Sequence, residues 1–133
     1  MRTKIFRNCS AILLLLLTQL AYAGDVFVIS NSGLGATISA DDVKDIFLGE
    51  KQFIASTKLD IIDNSAVQND FLSKFLHIDA VKYHAIWTKK SFRDGLIPPA
   101  VKSGDAEVIE YVKKTPGAIG YVSTKPAGVR VVQ

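Results

Sequence analysis

Short runs of β-branched and apolar residues alternate with capped amphipathic segments along the chain, and this alternation is typical of a layered α/β fold. The predicted strands are residues 25–30, 58–63, 118–123 and 129–132. The predicted helices begin after Ser39, Ser65 and Asp79, with a fourth from about residue 104 to residue 114. We therefore expect an α/β domain with a mixed sheet and about four flanking helices.

Two serines are predicted to be helix N-caps. Ser39 precedes Asp42 by three residues, which is the spacing of a capping box, and Gly49 marks the far end of that helix. Ser65 follows the second predicted strand and precedes an apolar stripe with helical spacing. Its hydroxyl is therefore predicted to cap the second helix.

The first 23 residues have the organisation of a secretory signal peptide. Three cations, Arg2, Lys4 and Arg7, precede an apolar run that is too short to span a membrane, and Ala21 and Ala23 provide the small residues of a cleavage site. Cleavage after Ala23 would remove Cys9, the one cysteine of the chain. We expect a single domain, residues 24–133, in the periplasm of a Gram-negative bacterium, not spanning the membrane after cleavage.

Charge and motifs exclude several classes of function. Without the leader, the chain has 13 Lys+Arg and 13 Asp+Glu, so it lacks the basic surplus of a nucleic-acid-binding protein. It has no nucleophile elbow, P-loop or zinc-protease motif. The two histidines, His77 and His84, would stand about 10 Å apart on one helix, too far to share a metal ion. We expect no enzymatic activity, no metal and no cofactor.

Several segments, taken in order, resemble the periplasmic phosphate-binding proteins of ABC transporters. Residues 39–49 end in Ile-Phe-Leu-Gly, as a helix of that family does, and residues 115–122 read Thr-Pro-Gly-Ala-Ile-Gly-Tyr-Val. Between them, Trp87, Phe92 and the Pro98-Pro99 pair are similar to a pattern of small, single-lobe relatives, the PstS-like proteins. The resemblance covers nearly all of residues 25–123.

The resemblance implies a fold and a function. The fold would be one lobe of a type II periplasmic-binding-protein domain. The function would be binding of phosphate or another small oxyanion, in association with an ABC-type importer or its regulation. An ABC permease or a membrane sensor protein would then be the partner.

The first candidate site is the turn after the second strand. A strand, a tight turn and a helix N-terminus can hold an oxyanion on free N–H groups. The candidate ligand-binding residues are Asp63, Asn64, Ser65, Ala66 and Val67. The family loop typically reads Arg-x-Asp-Gly-Ser-Gly-Thr, and this chain keeps only its Asp and Ser. Ile61 stands at the Arg position, which removes a bidentate clamp for the anion.

The second candidate site is the turn after the first strand, which contains Ser30, Asn31 and Ser32. Ligands of open α/β sheets lie beyond the carboxyl ends of strands. If the first two strands are parallel, both turns lie at one edge of the sheet and can form one polar rim. The alternative for this turn is an ordinary flexible loop.

Two functions from different classes fit these observations. One is a solute-binding-like protein for phosphate or a similar anion. The other is a non-enzymatic interaction or sensor module, which keeps the binding-protein fold, has lost tight ligand binding and docks an envelope or sensor protein. The altered loop and the missing second lobe favour the second function, and the family resemblance favours the first. The apolar segment around Leu96 and Ile97 either packs inward or offers a contact for a partner.

Overall fold

The computed structural model describes residues 24–132. The signal peptide predicted for residues 1–23 lies outside the described residues. Within residues 24–132, no helix is long and apolar enough to cross a membrane.

A five-stranded mixed sheet forms the centre of the fold. Its strands are β1 (Phe27–Ser30), β4 (Asp60–Asn64), β5 (Ala100–Lys102), β6 (Ala118–Val122) and β7 (Arg130–Val131). They lie in the order β5-β4-β6-β1-β7. The strand β4 pairs in parallel with β5 and β6, whereas β1 pairs antiparallel with β6 and β7. A separate small hairpin joins β2 (Phe53–Ile54) to β3 (Thr57–Lys58).

Four α-helices flank the sheet: α1 (Ala40–Phe47), α2 (Gln68–Phe71), α3 (Ala80–Asp94) and α4 (Asp105–Lys114). A π-helical turn, Leu72–Leu76, continues α2. The helix α1 begins with the predicted capping box, in which Ser39 accepts from the backbone N–H of Asp42 and Asp42 accepts from that of Ser39. Asp79 caps α3.

Apolar side chains form two clusters. The larger cluster gathers α1, the π-helical turn and α3, with Phe47, Phe71 and Trp87 among its members. The smaller cluster packs Val108 and Val112 of α4 against Ile29 and Ile62 of the sheet. Since adjacent residues of a strand point to opposite faces, Ile29 and its neighbour Val28 enter different clusters, and the sheet lies between the two.

The α/β class, the mixed sheet and the four helices are confirmed. One expectation is wrong, and the condition for a shared polar rim is not met. Ser65 is not an N-cap, because α2 begins only at Gln68 and its N-cap is Val67, without a side-chain cap. The first two long strands, β1 and β4, are not parallel to each other, because β1 runs antiparallel to β6 and β4 runs parallel to it. The short β5 and the β2–β3 hairpin were not predicted.

Candidate functional site

The turn after β4 is organised by the side chain of Asn64. Its Oδ1 accepts from the N–H of Ala66 at 3.1 Å, and the backbone carbonyl of Asn64 accepts from the N–H of Val67 at 3.2 Å. The N–H of Ser65 donates to the carbonyl of Lys102 at 2.9 Å. The three N–H groups of the turn are therefore bonded within the protein. This local bonding closes the turn, and α2 therefore begins further along the chain.

Asn64 also ties the turn to the neighbouring helix α4. Its Nδ2 donates to Asp105 Oδ1 at 2.9 Å and to the carbonyl of Tyr121 at 3.1 Å. Asp105 in turn accepts from the hydroxyl and the N–H of Ser123. Partial burial raises the pKa of Asp105, but the bonds from Ser123 and Asn64 outweigh it and hold the pKa below its usual value. The protein's own carboxylate thus occupies the N-terminal end of α4.

Asp63 points into the larger apolar cluster rather than towards the turn. Its carboxylate is buried and accepts from the hydroxyl of Tyr83 at 3.0 and 3.1 Å and from that of Tyr121 at 3.0 Å. Desolvation raises the pKa of Asp63 to about 6, although both tyrosine bonds act to lower it. Burial beside this carboxylate also raises the pKa of both tyrosines.

Tyr83 and Tyr121 are the residues of this region that sequence reasoning missed. A signal for them existed, because a buried tyrosine hydroxyl needs a hydrogen-bond partner and Asp63 interrupts an apolar strand. The ring of Tyr121 is stacked on Phe71 with the ring centroids 3.8 Å apart, and this contact fixes its position. The three polar groups therefore form a fixed internal network within the core.

The turn after β1 has a structural role at Asn31. The Nδ2 of Asn31 donates to the carbonyls of Val112 and Lys113, at 2.8 and 3.2 Å, and so satisfies the end of α4. Its Oδ1 accepts from the N–H of Gly33. Ser30 is fully buried, whereas Ser32 is exposed.

The two predicted sites lie at opposite ends of the sheet. Ser30 stands opposite Ile119 near the start of β6, whereas Asn64 ends β4, which runs parallel to β6. The single polar rim expected from two parallel strands is therefore wrong, since β1 and β4 are antiparallel. Of the candidate residues, Asn64, Ser65, Ala66 and Val67 form one turn, the side chain of Asp63 is directed away from it into the core, and Ser30, Asn31 and Ser32 lie apart from both.

An open groove of about 490 Å³ lies beside the amino end of β4. Trp87 forms part of its wall, and the indole N–H of Trp87 donates to the carbonyl of Phe47 at 3.0 Å. Ile61, which stands at the family's Arg position, also lines this groove. Ile97 lines it as well, and both Ile97 and the nearby Phe92 are 89% exposed. The groove and its surroundings thus present apolar side chains to solvent.

The described residues contain no group of three or more His, Cys, Asp and Glu side chains that could hold a metal ion.

No protein-family model and no curated protein matches the chain. Solved structures that share its fold include the following two. An ABC-type phosphate transport receptor from Vibrio cholerae has a TM-score of 0.54 at 11% identity, and the match covers 83% of this chain and 46% of the receptor. PstS from Borrelia burgdorferi has a TM-score of 0.53 at 18% identity, with 82% of this chain and 46% of PstS covered.

These likenesses confirm the fold implied by the sequence motifs, that of a small PstS-like domain. The chain spans less than half of the length of each receptor.

Proposed function

We propose that this chain is a non-enzymatic, periplasmic solute-binding-like protein for phosphate or another small oxyanion, associated with an ABC-type importer or its regulation. The observation that supports this proposal is the fold, which both solved phosphate receptors share over more than four-fifths of this chain. The ligand, the permease and the export of the chain are parts of the proposal.

The anion would bind at the turn after β4, where Ser65 and Ala66 are exposed to solvent. The Ser65 hydroxyl is exposed and can donate to an anion. The N–H groups of Ala66 and Val67 donate to Asn64, and they would have to break these bonds to donate to the anion. Ile61 supplies no positive charge to hold the anion. We therefore expect weak binding, with an affinity well below that of a site that has an arginine clamp.

Thermal unfolding in phosphate-free buffer, with and without millimolar phosphate or sulfate, tests the proposal. A ligand at about 100 times its dissociation constant adds roughly 2.7 kcal/mol of stability. The proposal predicts a saturable rise in Tm with phosphate, which Ser65→Ala reduces because it removes a hydroxyl donor. Ser56→Ala, an exposed serine of the β2–β3 hairpin, is the matched control. An unchanged Tm with every oxyanion would contradict the proposal.

A second candidate function is an interaction or sensor module that docks an envelope or sensor protein. The open apolar groove favours it, and so does the internal bonding of the turn after β4. A photo-crosslinking residue placed at Ile97 should capture a specific envelope protein in the native cell. The matched control is Val81, which is 80% exposed at the other end of α3. Equal capture at Val81, or none at Ile97, would argue against docking at the groove.

A further inference from the structure

A cavity of about 250 Å³ lies between the end of β1, the segment before α1 and β7, apart from the turn after β4. One part of its lining is aliphatic and the other carries hydroxyls and a guanidinium. The lining residues are Ser30, Thr37, Ile38, Arg130, Val131 and Val132.

Ser30 has an unsatisfied polar group at this cavity. The residue is fully buried, and its hydroxyl oxygen has no hydrogen-bond partner within residues 24–132. Leaving a buried hydroxyl unbonded is unfavourable, so such groups in proteins usually have a partner. Ser30 lines the cavity, so a partner outside this chain would have to approach the hydroxyl from there.

Arg130 is placed to act with Ser30. The two residues face each other across the antiparallel β1–β7 pair, so their side chains project from the same face of the sheet. One guanidinium nitrogen, Nη1, donates to the carbonyl of Ala36 at 3.4 Å. No carboxylate of the described residues lies within ion-pair distance of Arg130. Its remaining N–H groups are therefore directed to no acidic side chain of the protein.

We propose that this cavity binds a short aliphatic carboxylate. The carboxylate bonds to Arg130 and to the Ser30 hydroxyl, because a guanidinium matches the two oxygens of a carboxylate in geometry and charge. Thr37 also lines the cavity and carries a further hydroxyl. The aliphatic part of the ligand packs on Ile38 and Val132, and the small volume limits it to a few carbons. The site goes beyond the proposed oxyanion site, from which it is separated by the length of the sheet.

Amide chemical shifts of the purified protein, titrated with butyrate, test this proposal. We expect saturable shifts at the amides of residues 30, 37 and 131. Arg130→Gln should weaken butyrate binding about tenfold, and Ser30→Ala roughly fivefold. Arg93→Gln, which removes an exposed arginine from the end of α3, is the matched control and should leave the affinity unchanged.

Three outcomes would overturn the proposal. They are no shifts with butyrate at these amides, shifts of equal size with inorganic phosphate, and an unchanged affinity in Arg130→Gln. Ser65→Ala separates the two sites, since it should weaken the effect of phosphate on Tm and leave the butyrate titration intact.

Discussion

Asp63 is a carboxyl group enclosed by two tyrosine hydroxyls in the interior of the protein. Desolvation raises its pKa from 3.8 to about 6, so the folded protein holds the Asp63 proton more tightly than the unfolded chain does. Folding is therefore favoured by this group below about pH 4, and the contribution is lost as the pH rises through about 6. A pKa difference of about two units corresponds to roughly 3 kcal/mol.

Asp63→Asn should remove this pH dependence. The free energy of unfolding of the wild type, minus that of the variant, should fall by roughly 3 kcal/mol between pH 4 and pH 7. Urea unfolding at a series of pH values measures this difference. Tyr83→Phe removes a hydroxyl that lowers the pKa of Asp63, so it should move the transition to higher pH. A constant difference between pH 4 and pH 7 would show that Asp63 titrates as an ordinary exposed carboxyl.

Asp42 acts in the opposite direction and in a different pH range. Its bonds to the Ser39 backbone and to Lys51 lower its pKa to about 2. A lowered pKa stabilises the folded state above about pH 4, and that contribution is lost as the pH falls towards 2. The two aspartates can thus be distinguished by the pH range in which each affects stability.

Gly117 is required by its backbone conformation and by its surroundings. Its φ is +78°, and a Cβ atom there would lie 2.3 Å from the carbonyl oxygen of Lys58. Gly117→Ala should therefore cost at least about 2 kcal/mol of stability. Gly35→Ala, where a Cβ meets nothing within 4 Å, should change stability by less than about 0.5 kcal/mol. Equal denaturation midpoints for the two variants would contradict this assignment.

At the scale of elements, α1 and α2 begin in different ways. Ser39 bonds to the N–H of Asp42 in a complete capping box, whereas Ser65 caps nothing. Ser39→Ala should cost about 1 kcal/mol of unfolding free energy, and Ser65→Ala should cost close to none. Chemical denaturation of the two variants compares the same substitution at both helices. A similar loss in Ser65→Ala would mean that this serine bonds to the helix after all.

Local patterns predicted the elements whose signals are contained within them. The capping box at Ser39 and the start of α3 after Asp79 were predicted correctly, because each depends on contacts three residues apart. Ser65 was misread because the Asn64 side chain competes for the N–H of Ala66 and closes a turn first. The three-residue β5 was missed because a strand so short has little pattern of its own and is held by its pairing with β4.

At the scale of the whole molecule, the sheet separates two apolar clusters that should unfold together. Val108→Ala opens a space in the smaller cluster and should cost roughly 2 kcal/mol. Trp87, the one tryptophan of the chain, lies in the larger cluster and reports from there. Unfolding of the variant, followed by Trp87 fluorescence and by far-UV circular dichroism, should show the same lowered denaturation midpoint with both probes. Separate midpoints would show that α4 unfolds independently.

The candidate site could be predicted only in part, because its geometry depends on strand direction. The motifs pointed to the turn after β4, but the side chain of Asp63 is directed away from this turn into the core. They could not show that β1 runs against β4, because that direction is set by pairing with β6, far along the chain. The tyrosine partners of Asp63 come from α3 and β6, and a pairing between distant segments leaves no local pattern.

The position of β1 between β6 and β7 affects the timing of folding. Of the described strands, β1 leaves the ribosome first, yet Phe27 pairs with Val122, 95 residues later. A growing chain cannot complete its sheet until those late residues have been synthesised, and contacts over such separations slow folding. The nascent chain therefore stays incompletely folded through most of its synthesis, which is the condition of a chain that can still be threaded through a narrow channel.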